Sequence, residues 1–209
     1  MILPGEIKIL QDFALANRDN LSTTLKVCSS FEHIRDLLIK EFLTILQKFI
    51  INKLGDIDWV VDDKLSDHLY ESYPRFTIFK RKIGKDYYYV ALEPQAKVAR
   101  NIFYGVKNGE GRVLQNPDNE IYICLQQKSL GNGYRPNQYW SWGKYLDQDY
   151  QNWGDMDVLI QFYEAIQLDK RQENLPEREF GAIVNKIGEP LVKIALALDT
   201  IIKNNETKP

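Results

Sequence analysis

Between Phe31 and Ile50 apolar side chains return every third or fourth residue: Phe31, Ile34, Leu37, Leu38, Phe42, Ile45, Leu46, Phe49 and Ile50. That spacing follows the 3.6-residue turn of an α-helix and makes one broad apolar stripe. A stripe this wide must lie across a sheet or other helices, so the rest of the chain has to supply an opposing surface. Ser29 and Glu32 form the S-x-x-E pattern of a capping box, in which side chains satisfy the orphan amides of the first turn, and Gly55 supplies a stop. The pattern predicts a helix of about six turns from Ser29 to Gly55. Ahead of it, Ile7, Leu10, Phe13 and Ala14 predict a short helix after Pro4, while Asn17–Val27 is polar and undecided. The chain is read as one domain, with an extension over 1–28, a core over 29–205 and a tail over 206–209, fraying from Asn204.

The opposing surface begins at Trp59, where the period changes. Trp59–Val61, Arg75–Lys82, Tyr87–Leu92, Ala99–Lys107 and Glu120–Leu125 are strand-like and separated by polar turns. Gly84 suits a hairpin between the second and third. Five such segments predict an antiparallel meander against the long helix, hence an α+β fold. Helices then return. Asp155 or Asp157 is placed to cap Val158–Leu168, and Pro176 to open a helix carrying Phe180, Ile183, Val184 and Ile187. Pro190 is expected to kink or divide that helix before Leu191, Ile194, Leu198 and Ile201.

Composition supports a proper core, at 209 residues and 44% hydrophobic. With 27 basic against 29 acidic residues, the net charge of −2 gives no global attraction to nucleic acid or an anionic membrane. Cys28 and Cys124 read as small buried thiols outside any disulfide framework. The opening MILPGEIKIL lacks the features of a secretory signal, and no run approaches the roughly 18 apolar residues of a membrane helix. The expected compartment is the cytoplasm.

For metal chemistry the chain offers only His33 and His68, with no C-x-x-C or H-E-x-x-H, so neither metal nor cofactor is expected. Asn108-Gly109-Glu110-Gly111 reads as a hairpin loop between two strands, where a phosphate cradle needs a strand-to-helix turn. One carboxylate arrangement has the chain order of a Mg²⁺ nuclease: Asp62 or Asp63, then Glu93 with Gln95 or Lys97, and Glu41 on the preceding helix. Pro94 and the wide spacing from Glu93 to Lys97 argue against it. Lys80, Arg81, Lys82 and Lys85 are candidate phosphate contacts, with Tyr87–Tyr89 beside them for stacking; a charged hairpin tip that blunts a sheet edge is the competing explanation.

The segment most in need of explanation holds Tyr134, Tyr139, Trp140, Trp142, Tyr145, Tyr150 and Trp153 among Gly, Asn and Asp. Aromatics with polar edges bring large contact area at low entropic cost, which suits a binding surface. Burial as a lid on the core is the alternative, and the sequence leaves both open. A non-enzymatic module binding a protein or other macromolecule comes first, then a Mg²⁺ nuclease, then a subunit whose aromatic surface is an oligomer interface.

Tyr88-Tyr89-Val90-Ala91-Leu92-Glu93 with Phe103-Tyr104-Gly105-Val106 makes one recognisable block. Tyr139-Trp140-Ser141-Trp142-Gly143-Lys144-Tyr145-Leu146 with Asn152-Trp153 makes a second. Together, over about residues 31–205, they resemble the C-terminal half of bacterial PD-(D/E)-x-K nuclease family proteins. There, an aromatic–x–Glu strand and Tyr-Gly-Ile precede a W-x-W-x-Y turn, Asn-Trp and a closing helix. The resemblance implies an accessory or sensing domain tied to mobile elements or phage defence. It omits the nuclease part and carries over no catalytic residue.

Overall fold

The computed structural model describes residues 4–55, 58–71, 73–81, 88–109, 117–127, 132–172 and 179–206. The chain divides into two compact units, Met1–Leu37 and Leu38–Pro209. The first holds helix α1 (Pro4–Leu15) and the start of α2 (Arg18–Leu54). The second holds the rest of α2, a five-stranded sheet and three more helices. Among the described residues no helix is long and apolar enough to cross a membrane.

Helix α2 is longer than the capping box predicts. Ser29 lies in its middle, its hydroxyl donating to the Lys26 carbonyl, while Asn17 takes the capping role by accepting from the Asn20 amide at 2.9 Å. No Gly or Pro interrupts residues 18–28, so the helix continues backwards through the undecided stretch. Cys28 is consequently exposed and Cys124 half-buried, both as free thiols, in place of the expected buried pair.

The strands are β1 (Trp59–Asp63), β2 (Phe76–Lys80), β3 (Tyr88–Ala96), β4 (Arg100–Asn108) and β5 (Trp140–Tyr145). They form an antiparallel meander in the order β1-β2-β3-β4-β5. The strand count matches the expectation, but one member differs. Glu120–Leu125, expected as a strand, belongs to α3 (Pro117–Gln127); Ile121 and Leu125, one helical turn apart, are the buried positions, a spacing that a short apolar run does not separate from a strand. The fifth strand comes from the segment read as irregular. Pro94 does not interrupt β3 but pairs with Ile102. It lies past Phe76↔Leu92, the last pairing toward β2, so the missing amide is tolerated at what is locally an edge.

Helix α4 (Met156–Arg171) starts after Asp155, whose carbonyl accepts from the Val158 and Leu159 amides while its carboxylate makes no capping bond. Helix α5 (Ala182–Glu206) runs undivided through Pro190 and into the expected tail. The hairpin at Gly84 and the helix start at Pro176 fall outside the described residues.

Among the described residues the buried apolar side chains of the second unit's helices gather with those of one sheet face. Ile39 to Leu54 of α2, with α4 and α5, pack over Trp59, Phe76, Val90, Leu92, Tyr104, Val106 and Trp142. Phe42 is a hub, stacked on Phe162 at 3.8 Å between centroids and edge-on to Trp153 at 5.4 Å. Each such buried ring contributes about 1.5–3 kcal/mol against exposure. The Asn-Trp pair of the aromatic segment has a structural duty here. Asn152 Oδ1 accepts from the Asn101 amide and the Trp153 amide donates to the Ala99 carbonyl, bracing a β3–β4 connection with positive φ at Val98 and Ala99 of the turn and at Asn101 near the start of β4.

Candidate functional site

The opposite face of the sheet carries a different chemistry. Strand alternation sets Phe79, Tyr89, Ala91, Phe103 and Trp140 there as a second, smaller apolar cluster. Trp140 and Trp142 are two residues apart and on a regular strand would share a face. A register shift between Val106 and Lys107 pairs Trp142 with Val106 but Trp140 with Lys107, and the bulge turns the two indoles to opposite sides. Trp142 enters the main core, and Trp140 joins the second face. Gly143 completes the arrangement, because a Cβ there would lie 2.3 Å from the Phe103 ring.

Beside this cluster, on the same face, lies a buried ion network. Glu93, only 2% exposed, accepts from Arg75 Nε at 2.7 Å, Lys107 Nζ at 2.5 Å and Gln95 Nε2 at 3.0 Å. Lys107 Nζ also sits 4.7 Å from the Trp140 ring centroid, a cation–π contact. Burial pushes the Lys107 ammonium below its ordinary pKa, Glu93 offsets part of that, and neighbouring Arg75 adds to it. Burial also works against the Arg75 guanidinium, but its bonds to Glu93 and to the Tyr89 hydroxyl prevail and raise its pKa.

A groove of about 510 Å³ opens on this face, lined by Gln95, Phe103, Tyr134, Arg135, Asn137, Trp140 and Tyr145. Phe103 forms the floor, edge-on to Trp140 at 4.8 Å and to Tyr145 at 5.0 Å. Tyr134 and Tyr145 stand at 86° to each other, 5.9 Å apart, with 58% and 37% exposure. The wall is built by chain reversal: Tyr134 N donates to the Gly143 carbonyl, and Asn137 N to that of Trp140. Asn137 Oδ1 accepts from the Tyr139 and Trp140 amides. The groove thus has a rigid floor, two accessible phenol rings and an exposed Arg135 on its rim.

The aromatic candidates therefore divide. Trp142 and Trp153 are fully buried core residues, Trp140 is buried at the back of the groove, and Tyr134 and Tyr145 line it. Tyr139 is exposed but does not line it.

The nuclease candidates come together only in part: Gln95 bonds Glu93 at 3.0 Å and Asp62 shares their sheet face, while Asp63, Lys97 and Glu41 lie elsewhere. Asp62 and Asp63, successive on β1, project from opposite faces; Asp63 accepts from the Ser66 amide, and burial raises its pKa. Glu93 is held by two cations, Lys97 is exposed in the β3–β4 turn, and Glu41 pairs with Lys170 at 3.0 Å. Among the described residues no group of three His, Cys, Asp or Glu side chains is placed to hold a metal ion.

Of the phosphate candidates, Lys80 pairs with Asp199 at 3.5 Å and covers Trp59, and Arg81 is exposed. Lys82 and Lys85 lie outside the described residues, as does Tyr87; Tyr88 and Tyr89 are buried. His33 is exposed, and His68 contacts Glu71 at 2.7 Å. Asn108-Gly109-Glu110-Gly111 leads from β4 toward α3 instead of to another strand, though Glu110 and Gly111 lie outside the described residues.

Sequence reasoning missed Arg75, Phe103, Lys107, Arg135 and Asn137. The available signal was a charged residue within each of three neighbouring strand segments, Arg75, Glu93 and Lys107. Charges at inward strand positions demand partners of opposite sign. Compared with known proteins, the chain matches no family model, no curated protein and no solved structure.

Proposed function

We propose that this chain is a non-enzymatic recognition module whose aromatic groove receives an extended segment of a partner protein. The observation that carries the reading is the pair of accessible rings, Tyr134 and Tyr145, on the fixed Phe103–Trp140 floor. Rings held by packing lose little entropy when a ligand binds, and about 510 Å³ suits one or two inserted side chains. Arg135 on the rim favours a carboxylate beside the inserted apolar group. The occupant is thus a peptide with an aromatic or aliphatic anchor next to an acidic residue. Glu93, neutralised by its cross-strand neighbours Arg75 and Lys107, favours a scaffold role over metal chemistry. The resemblance to the nuclease-family module supports this choice, and mobile elements or phage defence are the setting it proposes for the partner.

Selection of a random peptide library on the full chain tests the proposal. Enriched peptides are expected to carry an acidic residue beside an apolar anchor. Tyr134→Ala and Arg135→Glu are each expected to weaken the best peptide about tenfold, roughly 1.4 kcal/mol, and to move stability by no more than about 0.5 kcal/mol. Tyr163→Ala, exposed on α4, is the control. Unchanged affinity in both groove variants would overturn the assignment.

A further inference from the structure

The first unit, Met1–Leu37, leaves its apolar side chains uncovered. Eleven of the twenty-two exposed large apolar side chains among the described residues fall within it, including Ile9 (69% exposed), Leu10, Phe13, Leu15, Leu25 and Val27. From Gly5 to Leu15 every residue of α1 is exposed except the half-buried Ala14. A twelve-residue helix is marginal in water without tertiary packing. Its apolar residues also point to several sides, as Ile7, Ile9, Leu10, Phe13 and Leu15 do not share one stripe; a helix apolar on several sides belongs inside a bundle.

We infer that this unit is a self-association surface, and that a second copy of the chain covers it through its own α1 and the first half of α2. Two observations choose the occupant. At roughly half exposure these side chains present on the order of 1,000 Å² of apolar surface in total, spread over several sides of the unit, comparable with the ~800 Å² per partner of a stable interface. The unit's charges are also mixed: Lys8, Arg18, Lys26 and Arg35 stand against Glu6, Asp12, Asp19, Glu32 and Asp36. Such a surface has no excess of basic residues to bring it to an anionic lipid surface, and no single sign to select an oppositely charged protein. Two identical copies meet without net repulsion worth the name, and pairing two α1–α2 corners gives each α1 neighbours on more than one side.

Sedimentation equilibrium of the full 209-residue chain between 1 and 100 µM, as an order-of-magnitude range for protein association, tests this. The wild type is expected to approach twice the 24.4 kDa protomer mass. Leu10→Glu/Phe13→Glu and Leu25→Glu/Phe31→Glu are each expected to remain at the protomer mass. These positions are exposed in the protomer, so both variants should keep the wild-type near-ultraviolet spectrum of the buried tryptophans. Amide exchange across residues 4–37 supplies the second measurement: protection in the wild type should rise with concentration. A wild type that stays monomeric throughout, variants that remain dimeric, or concentration-independent protection would each overturn the inference. So would binding of the monomeric wild type to vesicles of anionic phospholipid.

Discussion

The two faces of the sheet are made from the same strands and hold together by different means. On the helix-covered face Val90, Leu92, Tyr104, Val106 and Trp142 meet apolar helices, and the gain scales with area removed from water. On the other face Tyr89, Ala91, Phe103 and Trp140 surround an ion network, and burial of Glu93 and Lys107 is tolerable only because each satisfies the other. The first face can lose a contact and relax. The second is built on complementarity, so removing one partner strands another, and the groove adjoins it through Gln95 and Trp140. The arrangement places the costly interactions where a rigid floor is needed.

The largest expected effect tests the division at β5. Trp142→Ala removes a fully buried indole and should cost about 3–5 kcal/mol. Trp140→Ala, on the shallower cluster, should cost about 2 kcal/mol. Urea unfolding midpoints of both variants measure the difference. Equal losses would mean the open face is a second core of the same kind, and the comparison would break.

Glu93→Gln addresses the network itself. It leaves Lys107 buried beside Arg75 without its counter-charge, at an expected cost of about 3 kcal/mol near neutral pH. The pH dependence is diagnostic. Lys107 has a folded pKa below its ordinary 10.5, so between the two values the unfolded chain holds more protons and stability rises with pH. Removing Glu93 takes away the offsetting attraction, lowers the folded pKa further and widens that window. The deficit of the variant should therefore shrink between pH 7 and 10, by up to ~1.4 kcal/mol per unit. A deficit constant across that range would show that Lys107 does not respond to Glu93. Glu93→Leu with Lys107→Met and Arg75→Met should recover most of the loss, since apolar replacement of a whole buried ion network is often close to neutral.

The α+β class, the long helix, the meander and the C-terminal helices were legible because strongly periodic segments carry their own geometry. Strand β3 was legible from residue type instead, because Tyr88, Tyr89 and Val90 suit a pleated surface. The misassigned elements have a common physical cause. Glu120–Leu125 is too short for periodicity to choose between helix and strand, and tertiary packing against β5 and α5 decides it. Ser29 has the chemistry of a cap, yet a cap acts only where the preceding residue leaves the helix, and Asn17 does so earlier. The site was half legible. Tyr134, Trp140 and Tyr145 stood out by type, whereas Arg75, Lys107 and Phe103 reach it through cross-strand register, and the bulge that parts Trp140 from Trp142 leaves no mark in one sequence.

The smallest expected effect returns to the helix-covered face, through its tyrosine. Tyr104 is 3% exposed, and its pKa is raised by burial first, then by the Asp147 carboxylate and by the neighbouring Tyr150 phenol as it ionises. An acid with a raised folded pKa has the opposite sign from Lys107: above pH 10 the unfolded chain releases a proton that the folded chain keeps, so stability falls as pH rises. This one group should remove up to about 1.4 kcal/mol per pH unit above 10, and Tyr104→Phe should flatten the decline by that amount. The two faces thus bias the alkaline response in opposite directions, the Lys107 gain ending near 10.5 and the Tyr104 loss beginning near 10. Thermal midpoints from pH 9 to 11.5 for the wild type and Tyr104→Phe measure the balance. An unchanged slope in the variant would mean that Tyr104 does not hold its proton against burial, and that the helix-covered face contributes no alkaline sensitivity through it.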